Sequence, residues 1–419
     1  MNNILVFPCG SELGLDIYYS IRYSTYFKPI GLSSCGDHGK FVYEDYIEGA
    51  PYIDDDSFAD YLKKIVKERH IDAVFPATDS AILRIKEIEE ELGCKVISSP
   101  IETVRICTSK RLTYKKLDGV VRIPKLYDKE TITTYPVFVK PDIGHSSIGA
   151  RLIVNADQLD QALLENDRLI VMENLPGEEY TIDCLTDEGQ LLFCRARTRG
   201  RIRNGISVNS TYVEGSEFLE FAEKVNKALE FKGSWFIQVK RDENGELCLM
   251  EIASRIGGSS HLSMGIGVNL PLLSLFSEFG YKIRVECNKI SPEMDRALNS
   301  RFKCNLSYST VYVDYDDCLV FNKKTVNHEL VGFLYKCRNE NKRIILMSKH
   351  DGDLMSQLRE FRLYELFDEI IHIERKDEKN RYIQDRDSIL IDDSFAEREK
   401  VREATGINVF GPEMVMALM

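Results

Sequence analysis

The chain has 419 residues, enough for two or three domains, and 43% of them are apolar, enough for ordinary packed cores. A formal charge of -12 leaves no general basic face for a nucleic-acid backbone, and no apolar run reaches membrane-spanning length. The 11 cysteines stand singly with no CxxC pair, which fits reduced thiols better than disulfides or zinc, and the opening MNNILVFPCG lacks a secretion signal, so the expected location is the cytoplasm.

In chain order, Ile4 to Phe7 predicts a short strand that ends at Pro8, followed by Gly10, Gly14 and a helical stretch through Arg22. Ala73 to Pro76 and Lys95 to Ser98 predict later strands, so a small α/β domain closes near Pro100. Its glycines read G-x-x-x-G, and no clear acidic partner follows about twenty residues on, which makes a dinucleotide fingerprint a poor match.

A helix from Thr103 to Leu117 carries Lys110, and the strand Tyr135 to Lys140 ends on a lysine directly before PDIGHSSIGAR. A fixed cation beside the exposed backbone N–H groups of Gly144, Ser146, Ser147 and Gly149 suits a polyphosphate; an ordinary surface hairpin is the plainer alternative. Leu169 to Glu173 then runs through Asn174, Leu175 and Pro176 to Glu178, Glu179 and a further strand. Such an edge can offer backbone groups to a purine, and a carboxylate past the turn can accept from ribose. Trp235 to Val239 and Leu247 to Ile252 flank the turn Asp242 to Glu246. That hairpin would put Gln238 and Glu251 on one face, where their oxygens could hold a hard divalent cation. Arg195, Arg197, Arg199, Arg201 and Arg203 alternate, so one strand would bring all five to one face, opposite anions or in solvent. Arg199 and Arg203 are the two singled out for a phosphate or acidic substrate.

Over roughly residues 1 to 285 these elements, taken in order, resemble the ATP-grasp superfamily, in particular its carbamoyl-phosphate-synthase-like and amino-acid-ligase branches. The resemblance makes Lys110 and Lys140 the two nucleotide lysines and PDIGHSSIGAR the glycine-rich flap. It implies adenine contacts from the backbone of Glu173 and Leu175, ribose contact from Glu179, magnesium on Gln238 and Glu251, and Arg255 near the transferred phosphate. One departure stands out: the family pattern E-x-N-x-R has Ala253 in place of its asparagine.

The stretch Asn288 to Ser307 reads as a linker. Thr310 to Val313 then runs into Asp314, Tyr315, Asp316, placing two carboxylates at a strand's carboxyl end, where α/β proteins build sites. Arg343 to Met347 ends at Ser348, and Ser388 to Ile391 ends at Asp392 and Asp393. With Lys379 between them, these strand ends resemble the haloacid-dehalogenase (HAD) superfamily over about residues 309 to 419. By that resemblance Asp314 is the nucleophile and Asp316 the acid and base; Ser348 bonds the phosphoryl group and Lys379 offsets its charge. Asp393, Asp314 and the backbone of Asp316 would hold magnesium. Lys376 rivals Lys379 and Asp392 rivals Asp393, and Cys318 departs mildly from the pattern. The short spacing between motifs leaves little room for a cap.

The expected fold class is α/β and α+β multidomain: a pre-ATP-grasp α/β domain (1–100), an ATP-grasp domain (101–287), a linker (288–308) and a Rossmann-like HAD domain with little or no cap (309–419). The expected function is bifunctional, an ATP-dependent carboxylate–amine ligase acting through an acyl phosphate joined to a magnesium-dependent phosphatase. ATP and Mg2+, or Mn2+ in its place, are the implied cofactors. Small-molecule carboxylate and amine substrates and a phosphorylated compound are the implied partners, with no nucleic acid and no membrane, and a homodimer left open. The alternative keeps one half active, the phosphatase foremost, and makes the other a regulatory nucleotide-binding module.

Overall fold

The computed structural model describes every residue except 145–147, 204, 205 and 298, together with the side chain of Ile206. The chain divides into two compact units, 1–298 and 299–419.

The first unit opens with a parallel sheet in the order β3-β2-β1-β4-β5, made of β1 (Asn2–Phe7), β2 (Phe27–Ser33), β3 (Tyr46–Glu48), β4 (Ala73–Pro76) and β5 (Lys95–Val96). Ser11 caps the helix Glu12–Ile21 by accepting from the Gly14 amide at 3.0 Å. A side chain at Gly14 would lie 2.5 Å from the Cys9 carbonyl, so the second glycine of G-x-x-x-G serves this close approach.

A three-stranded antiparallel sheet follows, with β6 (Val137–Pro141) between β7 (Arg151–Ile153) and β8 (Leu169–Glu173). The large sheet has the order β11-β12-β10-β9-β13-β14 and is antiparallel throughout. Its strands are β9 (Glu179–Asp187), β10 (Gln190–Thr198), β11 (Arg201–Arg203), β12 (Ile206–Val213), β13 (Gly233–Arg241) and β14 (Leu247–Ala253). One face carries Ile182, Cys184, Trp235 and Ile237 against Phe218, Phe221 and Val225 of the helix Ser216–Ala228. Thr181, Asp183, Ser234 and Gln238 are among the alternate positions and face the other way. Part of the expected linker belongs to this sheet: β15 (Glu293–Asp295) pairs antiparallel with β12.

The second unit is a parallel sheet in the order β20-β19-β16-β21-β22. It comprises β16 (Thr310–Val313), β19 (Arg343–Ser348), β20 (Glu369–His372), β21 (Ser388–Ile391) and β22 (Asn408–Phe410); β17 (Val320–Phe321) and β18 (Thr325–Val326) form a small separate hairpin. The four-residue strands β16 and β21 are wholly buried, as expected of a parallel sheet covered on both faces. Successive strands run outward from β16 on one side and then resume beside it on the other, so its carboxyl end lies at the switch point where such sheets bind ligands. No described helix is long and apolar enough to cross a membrane.

Candidate functional sites

In the first unit a cleft of about 810 Å³, counting its open mouth, is lined by Lys110, Lys140, Met172, Glu173, Leu175, Glu179, Arg199, Gln238, Lys240, Met250 and Glu251, among others. Its size matches a small-molecule site, and its lining sets the apolar Met172, Leu175 and Met250 against a cluster of charged groups of both signs. Gln238 and Glu251 are direct partners across β13 and β14. With the Gln238 amide turned to satisfy both neighbours, its nitrogen donates to Glu251 Oε1 at 2.9 Å and its oxygen accepts from Arg199.

The register shifts between Gln238 and Val239, so that Val239 faces Leu249 and Met250 is the extra residue of a bulge. Its carbonyl accepts from Lys140 Nζ at 2.9 Å and from the Tyr114 hydroxyl at 2.8 Å. Burial pushes the Lys140 ammonium down to about 8; Lys110 adds to this and Glu251 opposes it. Lys110 is also buried and donates to the carbonyls of Asp142 and Gly144 at 3.3 and 3.2 Å, with Glu251 Oε2 3.9 Å away. Glu173 uses its carboxylate on Arg122 at 2.7 Å and on the Lys125 amide at 2.8 Å. Leu175 is buried in the cleft wall, and Glu179 lies 3.1 Å from Arg199 Nε.

The family model for "ATP-grasp in the biosynthetic pathway with Ter operon" matches residues 165–293. A D-alanine–D-alanine ligase of Thermotoga maritima is 31% identical over 141 residues, 31% of this chain and 46% of the relative. The chain thus spans less than half the length of that relative. Among solved structures, N5-carboxyaminoimidazole synthetase of Staphylococcus aureus complexed with ADP aligns at a TM-score of 0.58 with 17% identity, over 71% of this chain and 82% of that one. The L-amino acid ligase of Bacillus licheniformis aligns at 0.56 with 18% identity, over 67% and 74%. The chain carries an ATP-grasp fold.

One expectation for the ATP-grasp unit needs correction. The five arginines do not share one strand face, because β10 ends at Thr198 and β11 begins at Arg201. Each of four meets its own acid: Arg195 with Glu214, buried Arg197 with buried Asp183, Arg199 with Glu179, and Arg201 with Asp295. Arg203 is exposed on β11 and is not among the cleft residues. Arg255 is held in a two-pronged pair with Asp79 at 2.7 and 2.6 Å and does not line the cleft either. Ser146 and Ser147 lie outside the described residues. Ala253 is buried opposite Phe236 and brings no ligand atom. Glu251 offers oxygens that suit a magnesium ion sharing its shell with substrate phosphates, and Gln238 would join it only by turning its amide oxygen from Arg199 toward Glu251.

In the second unit Asp314 follows β16 directly and is buried. Lys379 Nζ lies 2.8 Å from Asp314 Oδ1 and donates to Asp392 Oδ2 at 2.6 Å. Burial pushes the Asp314 carboxyl up to about 6, with Asp392 adding to the rise and Lys379 opposing it. Burial alone would lower the Lys379 ammonium, but Asp314 and Asp392 outweigh it and hold it above its ordinary value. Lys376, the rival lysine, is exposed and paired with Glu374, so Lys379 takes the buried position.

Asp314, Asp392 and Asp393 each offer a carboxylate oxygen, all within 4.8 Å of one another, a donor set suited to a hard divalent cation. Both oxygens of Asp392 are already bonded, to Lys379 and to the Ser394 amide at 2.9 Å, which leaves the exposed Asp393 the freer donor. Burial and Asp392 raise the Asp393 carboxyl. Ser348 is buried at the end of β19, and its hydroxyl has no hydrogen-bond partner of good geometry among the described residues. Asp316 is bonded to His350, a residue that no motif in the sequence marks. Cys318 is buried beneath the site, its thiol raised by that burial.

Proposed function

We propose that the ATP-grasp unit is an ADP-forming ligase that joins a carboxylate to an amine, both of the amino-acid class, and that the second unit is a HAD-type phosphatase. The observation that carries the first half is the cleft, where Lys110 and Lys140 stand beside Gln238 and Glu251 with an apolar wall of Met172, Leu175 and Met250. In this reading the wall takes the adenine, Glu179 the ribose, and the two lysines the phosphates. Gln238 and Glu251 would hold Mg2+, which when bound offsets phosphate charge during transfer. The substrate carboxylate attacks the γ-phosphorus of ATP, giving an acyl phosphate and ADP; the amine then attacks the acyl carbon, phosphate leaves, and the amine gives up a proton. The amino-acid class is supported by the ligases among the similar proteins, which also include an L-arginine-specific L-amino acid ligase of Bacillus subtilis.

For the second unit, Asp314 would attack a phosphate monoester to form an aspartyl phosphate while Asp316 gives its proton to the departing oxygen. Water then adds to the phosphorus, its proton passes to Asp316, and Asp314 and inorganic phosphate are released. Lys379 and Ser348 would steady the phosphoryl oxygens, and Asp314 with Asp393 would hold Mg2+, which neutralises their charge. Support comes from the buried nucleophile position at the switch point, with Lys379 already seated on it.

A second reading makes the ATP-grasp unit a nucleotide-binding regulator; Arg255 committed to Asp79, together with Ala253, favours it. The test is ADP release by the full chain carrying Asp314→Asn, with ATP and Mg2+, across pooled amino acids, reading new masses in the same samples. ADP with a condensed product supports the ligase. ATP binding with no ADP in any pool supports the regulator.

A further inference from the structure

We propose that His350 is a positioning residue that fixes the Asp316 carboxylate for proton transfer, an inference that rests on the phosphatase reading above. The His350 side chain is fully buried and its Nδ1 lies 2.8 and 3.0 Å from the two oxygens of Asp316. In the step where Asp316 takes a proton from water its carboxylate is ionised and only accepts, so there Nδ1 carries the hydrogen and donates.

Packing does not account for this residue. Its Nε2 is buried with no hydrogen-bond partner among the described residues, a cost of about 1–3 kcal/mol that an apolar ring of similar size would avoid. The ring is nevertheless held firmly. Tyr315 meets it edge-on at 5.2 Å and 81°, and the Tyr315 hydroxyl bonds Gln357 at 3.1 Å. The His350 carbonyl lies 2.7 Å from His372 Nε2, which ties the loop to β20.

The placement supplies the reason. His350 comes two residues after Ser348, so the one strand end that sets the hydroxyl beside the nucleophile also sets the imidazole beside the acid. Asp316 is about one-third exposed and free to change rotamer unless something holds it, and proton transfer needs it within about 2.6–3.2 Å of its target. A donor on both carboxylate oxygens restricts that rotation.

The experiment compares the full chain with His350→Phe and His350→Asn, using Mg2+, 32P-labelled p-nitrophenyl phosphate and glycerol phosphate, and measures kcat, KM and acid-precipitable label on the protein. His350→Phe should lower kcat by roughly 10²-fold with KM changed only a few-fold, the scale of a misplaced general acid and base. With p-nitrophenyl phosphate the label should build up on the variant. The nitrophenolate leaves without help, whereas hydrolysis of the aspartyl phosphate still needs Asp316 to take a proton from water. The Asn amide can donate from near the Nδ1 position, so His350→Asn should recover activity to within about tenfold. Wild-type kcat in His350→Phe, or equal loss in Asn and Phe, overturns the proposal. If Phe does not fold, Asn against His350→Leu decides in the same way. A wild-type chain with neither turnover nor label overturns the phosphatase reading itself, and the proposal with it.

Discussion

Replacing Asp314 by Asn should stabilise the second unit while ending its proposed turnover. Burial holds the Asp314 carboxyl at about 6 in the folded chain, against an ordinary value near 4. The folded state therefore binds this proton more tightly than the unfolded chain does. Its stabilising contribution is complete below about pH 4 and is lost as pH rises through 6. Two pH units correspond to roughly 3 kcal/mol at about 1.36 kcal/mol each, which the ionised group costs the metal-free fold at neutral pH. Asn has the same shape and no charge, and Lys379 keeps Asp392 as its partner. In chelator at pH 7.5 the variant should gain up to about 3 kcal/mol, a rise on the order of 10 °C for a unit this small, and the gain should vanish near pH 4. Calorimetry of the full chain reads this transition. Fluorescence of Trp235, the single tryptophan and buried in the first unit, serves as the unaffected control. Added Mg2+ should reverse the order, because wild type keeps a carboxylate for it. A variant no more stable than wild type at pH 7.5, or an advantage that persists at pH 4, would refute the reasoning.

Three further outcomes concern the first unit. Since burial brings Lys140 to about 8, ATP affinity should fall as pH rises past 8, by up to about tenfold per unit, and Lys140→Met should weaken binding and flatten that profile in titration calorimetry. Glu251→Gln should reduce ADP release by about 10²-fold or more while phosphate release from an aryl phosphate is unchanged; equal loss of both would contradict separate sites. Arg197→Met leaves the Asp183 charge buried with no cation and only the Ser260 hydroxyl on it, so the Trp235 transition should drop by about 3–5 kcal/mol; a smaller change would mean that the pair is not what holds this face.

Much of the ATP-grasp unit was legible because its signals are local. Strand ends on lysine, a hairpin pairing Gln238 with Glu251, and an apolar run into Asn174 and Leu175 all follow from period and turn chemistry. What was not legible depends on partners distant in sequence. The alternating arginines read as one face because a two-residue period is all that sequence shows. Acids on neighbouring strands and a strand break at Arg199 and Gly200 divided them. The Met250 carbonyl was invisible because a bulge is a property of two strands in register. In the second unit the strand ends were readable, and Lys379 could be told from Lys376 only by which lysine the fold buries. His350 gave no signal beyond standing two residues from Ser348.

The charge balance of the cleft argues that nucleotide and metal must enter together. Lys110, Lys140, Arg199 and Lys240 face Glu173, Glu179 and Glu251, and two of these carboxylates already have arginine partners. Glu251 is the acid left beside the two lysines. A triphosphate brought there alone would compete with that carboxylate for Lys110, 3.9 Å from it, and at an effective dielectric near 20 a like-charge contact at 4 Å costs on the order of 4 kcal/mol. Chelating the divalent ion should therefore weaken ATP binding by 10²-fold or more, and Glu251→Gln, which removes the repelling charge together with the ligand, should bind ATP in chelator better than wild type does. If chelator leaves wild-type affinity unchanged, Glu251 does not face the phosphates and the orientation of the nucleotide in this cleft must be reversed.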